Sequence, residues 1–211
     1  MNQTIIAEKL LQTGAVVLRP HLPFTWASGW KSPIYCDNRK LLSFPYVRDY
    51  IKSELCNLIY EQYPDVQLLA GVATAGIAWG AMVADQLKLP FVYVRPKPKE
   101  HGMGNQIEGR YDKGWETVVI EDLISTGKSS LLVVEVLRRE GLVIDSMTSL
   151  FSYHFPYADE HFAKAGVRYE SLCDYNTLIE VAIRKGFVKS ADEALLLQWR
   201  KSPETWTGDS E

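Results

Sequence analysis

The sequence predicts an α/β fold built on a mainly parallel sheet. Apolar runs of strand length occur at Leu68–Ala73, Phe91–Val94, Thr117–Ile120 and Val143–Phe151, with a weaker fifth at Tyr169–Cys173. Helical stretches at Gly76–Leu87, Lys128–Arg139 and Tyr157–Ala165 separate most of them, the alternation of βαβ units. The runs are nearly continuous in apolar residues, as in strands covered by helices on both faces of a sheet. With 211 residues, 46% hydrophobic and 23% charged, the chain has the proportions of one globular domain with an added subdomain.

The first element is a helix over residues 2–13, where Ile5, Ile6, Leu10 and Leu11 form a stripe that stops at Gly14. A longer helix is predicted over Pro45–Gln62, with Val47, Ile51, Leu55, Leu58 and Ile59 on one face and Tyr63-Pro64 closing it. Strand and helix then alternate as above. The stretch 202–211 is polar enough to fray.

Composition excludes several function classes. A formal net charge of -3 gives no broad positive field for nonspecific nucleic-acid binding, so any anion site is local. Cys36, Cys56 and Cys173 are odd in number and lack metal-ligand or disulfide spacing, which fits reduced thiols in the cytosol. The start MNQTIIAEKLLQTG lacks the basic and apolar regions of a secretory signal, and no apolar stretch reaches the ~20 residues that span a bilayer. A cytoplasmic protein with no membrane partner is expected.

Ligands of open α/β sheets collect beyond the carboxyl ends of the strands, here after Ala73, Val94, Ile120 and Phe151. The run Val118–Ser130, VVIEDLISTGKSS, passes from a strand through two acids into a hydroxyl-rich turn and a helix. Glu121 and Asp122 at a strand end, with Asp122 read as exposed, can accept hydrogen bonds from vicinal hydroxyls. Ser125, Thr126, Gly127 and Ser129 offer hydroxyls and backbone N–H groups at a helix start, where a phosphate is favoured. Diol and phosphate recognition side by side describes a ribose 5-phosphate; the bland reading is an acidic strand end with a solvated turn. Gly127-Lys128-Ser129 also matches the end of a Walker A motif, but that motif needs a glycine where Asp122 stands.

This run resembles the phosphoribosyl pyrophosphate (PRPP) signature of type I phosphoribosyltransferases. The resemblance implies a mainly parallel five-stranded sheet flanked by helices, an N-terminal hood for the base and a flexible catalytic loop. It implies PRPP contacts from Glu121, Asp122, Leu123, Ile124, Ser125, Thr126, Gly127, Lys128 and Ser129. Lys128 replaces the second small residue of many members and faces either solvent or phosphate. The expected layout is a single unit over 1–211, with a hood over about 1–45, a core over about 46–175 and a C-terminal helical segment over about 176–211.

Two further segments point to the orotate branch of that family. Phe24–Arg39, FTWASGWKSPIYCDNR, resembles its hood segment, and Arg95–Gly109, RPKPKEHGMGNQIEG, resembles its mobile loop. With GVATAGI at Gly71–Ile77, the resemblance spans Phe24–Tyr153. Arg95, Lys97, Lys99 and His101 concentrate cations between prolines and glycines; this is either a solvated basic turn or a lid that closes on a polyanion. By resemblance Arg95, Lys99 and His101 contact pyrophosphate, with Lys99, His101 and Asp122 in catalytic roles. Ser125 is the first candidate for orotate through its hydroxyl or backbone, and Tyr35 and Arg39 are weaker ones. Cys36 and His154 read as structural; His21 and His161 receive no role.

Pro96, Ala27 and Thr74-Ala75 replace residues that contact PRPP in the best-known bacterial form, and Ser152-Tyr153-His154 stands where some members carry an arginine near orotate. The implied reaction forms orotidine 5′-monophosphate and pyrophosphate in UMP biosynthesis. Mg²⁺ is the expected cofactor, carried by PRPP and fixed by no protein side chain. A homodimer sharing the loop between subunits is the expected assembly. A phosphoribosyltransferase for another base and a noncatalytic PRPP-sensing regulator are the alternatives.

Overall fold

In the computed structural model, which describes residues 2–97 and 105–208, a six-stranded sheet divides two apolar cores. The N-terminal helix α1 (Gln3–Gln12) is capped by Asn2, whose side chain accepts from the Ile5 N–H. Four short strands follow: β1 (Val16–Leu18), β2 (Phe24–Thr25), β3 (Lys31–Ser32) and β4 (Ile34–Cys36). β1 pairs antiparallel with β4, and β2 with β3. A 3₁₀ helix, Asn38–Ser43, leads to α2 (Pro45–Gln62), where Pro45 occupies the first turn and loses no hydrogen bond there.

The sheet contains β5 (Leu68–Val72), β6 (Phe91–Val94), β7 (Ile107–Glu108), β8 (Glu116–Ile124), β9 (Val143–Ser152) and β10 (Arg168–Asp174). Its order is β10-β9-β8-β5-β6-β7. Five strands run parallel, as the resemblance implies; the two-residue β7 adds an antiparallel sixth at the edge. The crossovers are α3 (Ala75–Leu87), α4 (Lys128–Arg139) and α5 (Pro156–Ala165), and the chain continues through α6 (Tyr175–Arg184) and α7 (Glu193–Lys201).

One core joins α1, α2, α3, α6 and α7 to the sheet; the other lies under α4 and α5. α4 presents Val133, Val134, Val136 and Leu137 to the second core, the apolar stripe of a surface helix. α3 approaches the sheet too closely for side chains at two points. A Cβ on Gly71 would lie 2.8 Å from the Gly76 carbonyl oxygen, and one on Gly76 would lie 2.5 Å from that of Ile120. These glycines, with a cis Ala73–Thr74 peptide between them, bring the start of α3 to the carboxyl ends of β5 and β8. Among the described residues no helix is long and apolar enough to cross a membrane.

Candidate active site

β8 extends four residues beyond its expected end, so Glu121 and Asp122 lie within the strand. The side-chain alternation slips there: Val118, Ile120 and Leu123 belong to one core, whereas Val119 and Ile124 belong to the other. The expectation of an exposed Asp122 at a strand end is therefore corrected. Glu121 is 6% exposed, and Asp122 is half-buried. A carboxylate survives such burial only with donors around it. Glu121 Oε1 accepts the Asp122 N–H at 3.0 Å, and Oε2 accepts the Ser130 hydroxyl at 3.3 Å.

The two acids titrate as a pair. Desolvation, then the charge of Asp122 and the hydrogen bond between the carboxyls, push Glu121 well above the usual carboxylate range. Burial also raises Asp122, partly offset by its bond with Glu121 and the positive charge of Arg39. Burial and the closeness of the two carboxyls thus both work against full ionisation of the pair.

Beyond Ile124, Ser125 and Thr126 are half-buried and Gly127 turns the chain with φ +75°. A Cβ on Gly127 would lie 2.6 Å from the Phe162 ring, so both conformation and space demand glycine. The turn feeds α4, which begins with Lys128 and Ser129 exposed and has no acidic residue in its first turn. The Lys128 N–H meets Thr126 Oγ1 at 3.4 Å. The remaining first-turn N–H groups and the helix dipole form an anion-attracting end beside the acid pair. Leu123 and Ile124 pack into the cores, leaving their backbone to line the turn. The Ile124 carbonyl accepts the Tyr153 N–H at 3.1 Å, tying the turn to the end of β9.

Arg95 follows β6, two strands away. Its backbone N–H donates to the Gln106 carbonyl at 2.9 Å, the Gln106 amide donates back at 2.8 Å, and its guanidinium lies 3.7 Å from Glu108. These contacts fix the base of the predicted basic loop. Lys99 and His101 lie outside the described residues.

The hood meets the site through Asn38, whose Nδ2 donates to the Asp122 carbonyl at 2.6 Å. Arg39 pairs with Asp37 at 2.7 Å, and its charge reaches Asp122. Tyr35 is 40% exposed, with its ring 5.6 Å from that of Phe24, so it belongs to the hood surface. Trp26 closes the hood onto the end of β9, its ring 5.4 Å from Tyr153 and 5.6 Å from Trp199 of α7. The Trp26 indole donates to the Ile34 carbonyl at 3.1 Å and that of Trp199 to Lys31 at 3.2 Å. His154 adopts φ +46° and lies 2.9 Å from the Tyr169 hydroxyl and 3.3 Å from Asp159. Arg200 holds the same turn by donating to the Tyr153 and His154 carbonyls at 3.1 and 2.9 Å.

No protein-family model matches the chain. The orotate phosphoribosyltransferase of Porphyromonas gingivalis is 52% identical over 202 residues, covering 96% of this chain and 96% of that protein. The chain belongs to the orotate phosphoribosyltransferase family. The Bacillus subtilis orotate phosphoribosyltransferase is likewise 52% identical, covering 95% of this chain and 93% of its own length. A crystal structure of the Aeropyrum pernix enzyme of that name superposes with a TM-score of 0.76 at 34% identity, over 87% of this chain and 99% of that one.

In this member of the orotate phosphoribosyltransferase family, Glu121, Asp122 and the turn Ser125–Ser129 gather at one end of β8, with Arg39 beside them. Arg95 stands apart at the end of β6, and Tyr35 faces Phe24. Sequence reasoning misses Ser130 and Asn38. Ser130 closes the run Val118–Ser130 without a role there, yet in the first turn of α4 it reaches Glu121. Asn38 stands inside the Cys36–Arg39 run noted for the hood, but its partner is 84 residues away.

Proposed function

We propose that the protein transfers the 5-phosphoribosyl group of PRPP to orotate, giving orotidine 5′-monophosphate and pyrophosphate in UMP biosynthesis. The carrying observation is the Glu121–Asp122 pair, buried at Glu121 and half-buried at Asp122, beside the start of α4 in a chain of the orotate phosphoribosyltransferase family. The first-turn N–H groups of α4, with Ser125, Thr126, Gly127 and Ser129, hold the 5-phosphate. The acid pair accepts hydrogen bonds from the ribose hydroxyls, and Lys128 remains at the exposed helix start. Ser125 faces orotate through its hydroxyl or backbone, and Arg39 and Tyr35 are the further hood candidates.

In the reaction, a bond forms between an orotate nitrogen and the anomeric carbon as the bond from that carbon to the pyrophosphate oxygen breaks. Positive charge grows on the ribose ring, and the negative acid pair stabilises it. Arg95, Lys99 and His101 complement charge growing on the leaving oxygens.

Mg²⁺ fits this site as a companion of the substrate. Asp122 and Glu121 offer hard oxygen atoms, but both Glu121 oxygens already accept hydrogen bonds. Among the described residues, no group of three or more His, Cys, Asp or Glu could hold a metal ion. When bound through the PRPP phosphates, Mg²⁺ supplies Lewis-acid stabilisation of the leaving group. The proposed assembly is a cytoplasmic homodimer in which the loop carrying Lys99 and His101 covers the partner's site, within a single phosphoribosyltransferase unit of hood, core and helical C-terminal segment.

The test is the ultraviolet absorbance of orotate on mixing protein, PRPP and Mg²⁺. A fall that depends on all three is expected. No change with folded protein refutes the assignment.

A further inference from the structure

Asn38 is fully buried although it belongs to the hood's 3₁₀ helix, and it reaches a strand 84 residues further along the chain. The reason lies in the sheet. β5 stops pairing with β8 at Gly71–Ile120, two residues before Asp122, and the pairing of β8 with β9 passes over Asp122. Side chains satisfy the backbone there: Glu121 takes the Asp122 N–H at 3.0 Å, and the Asn38 amide donates to the Asp122 carbonyl at 2.6 Å. The carbonyl is part-buried, and leaving it without a donor is costly, so this contact fixes where β8 runs as it carries the acid pair.

The Asn38 amide is itself oriented. Its Oδ1 accepts from the Cys36 thiol at 3.4 Å, and a carbonyl opposite Nδ2 can only accept. Each end of the amide therefore meets a partner of the required polarity. Burial and the charges of Asp122 and Asp37 raise the Cys36 thiol well above its ordinary range, which keeps its proton in place. The neighbouring residues join the same arrangement, since Asp37 pairs with Arg39, whose charge lowers the pKa of Asp122.

We propose that Asn38 is a positioning residue for phosphoribosyl transfer. It substitutes for the missing length of β5, holding Asp122 in register with the ribose and linking the hood to the strand that carries the acid pair. The inference rests on the reading of Glu121 and Asp122 as ribose ligands.

The test compares Asn38→Leu, which keeps approximate volume but removes both polar groups, with Ser171→Ala. Ser171 pairs with Ser149 at 2.6 Å inside the sheet and has no part in the proposed site. PRPP binding is measured by calorimetry with Mg²⁺ and without orotate, beside steady-state kinetics and thermal unfolding. Asn38→Leu should weaken PRPP binding and kcat/KM roughly tenfold, the loss of a part-buried hydrogen bond. Ser171→Ala should lower the melting temperature while leaving PRPP affinity within about twofold, as expected of a fold-only contact. Unchanged PRPP affinity in Asn38→Leu, or an equal loss in Ser171→Ala, overturns the proposal. If Asn38→Leu does not fold, Asn38→Asp keeps the shape and removes the donor; unchanged PRPP affinity there is equally fatal. A parent protein that binds PRPP but consumes no orotate refutes the base assignment, while the calorimetric comparison still decides the role of Asn38. A parent that does not bind PRPP refutes both.

Discussion

Asp122→Asn separates the chemistry of the acid pair from its part in the fold. The substitution keeps the side chain's shape and leaves both backbone partners of residue 122 in place, because the Glu121 carboxylate and the Asn38 amide bind main-chain atoms. It removes a half-buried charge that partial desolvation already disfavours. Stability should therefore hold, or rise by up to about 1 kcal/mol as repulsion beside Glu121 is relieved. The ribose loses a charged acceptor, typically worth about 1.5–3 kcal/mol. At about 1.36 kcal/mol per tenfold, kcat/KM for PRPP should fall roughly 10- to 160-fold. The assay is steady-state loss of orotate absorbance with PRPP varied at saturating orotate, beside thermal unfolding. Relieved of its neighbour's charge, Glu121 should also titrate closer to the ordinary carboxylate range in carbon NMR. Equal PRPP kinetics in variant and parent would remove Asp122 from the site, and a parallel loss of stability and activity would make its role structural.

Glu121→Gln tests the protonation of the pair. Folding raises the Glu121 pKa, so the folded state binds more protons than the unfolded one, and the associated stability is present at low pH and lost as pH rises through the raised value. Denaturant titrations should show the stability of Glu121→Gln relative to the parent increasing from the ordinary carboxylate range upward; a difference that shrinks with pH contradicts the assignment. Excess chelator should abolish turnover, while added salt should raise KM for PRPP by screening Arg95, Lys99 and His101; full activity in chelator sinks the Mg²⁺ reading. A loop acting in trans should leave one of the two sites intact in a mixed dimer of Lys99→Ala and Asp122→Asn subunits, about one site in four of a randomly paired mixture. No gain over the separate variants, after demonstrated subunit exchange, places the loop in its own subunit's site.

Much of the fold is legible in the sequence because its long elements carry strong local patterns. α2 and α4 begin and end where Pro45, Tyr63-Pro64 and Gly127 punctuate the apolar stripes, and β6 matches its apolar run. β8 is misjudged because two adjacent acids suggest solvent, whereas Ser130 and the Asp122 N–H satisfy Glu121 inside the protein. The hood strands span only two or three residues and β7 two, too few to establish a period. At the site, the hydroxyl-rich turn before α4 is readable from adjacent residues. Asn38 is not, because its importance appears only where β5 falls short of Asp122.

The junction of Trp26, Tyr153 and Trp199 also gives the molecule a native optical gauge. An indole from the hood lies edge-on to one from α7 at 5.6 Å, close enough for their electronic transitions to couple. Near-ultraviolet circular dichroism and intrinsic emission therefore carry a component sensitive to the seating of the hood. Substituting Trp26 with phenylalanine isolates that component by difference, providing a label-free signal for hood displacement during ligand titration.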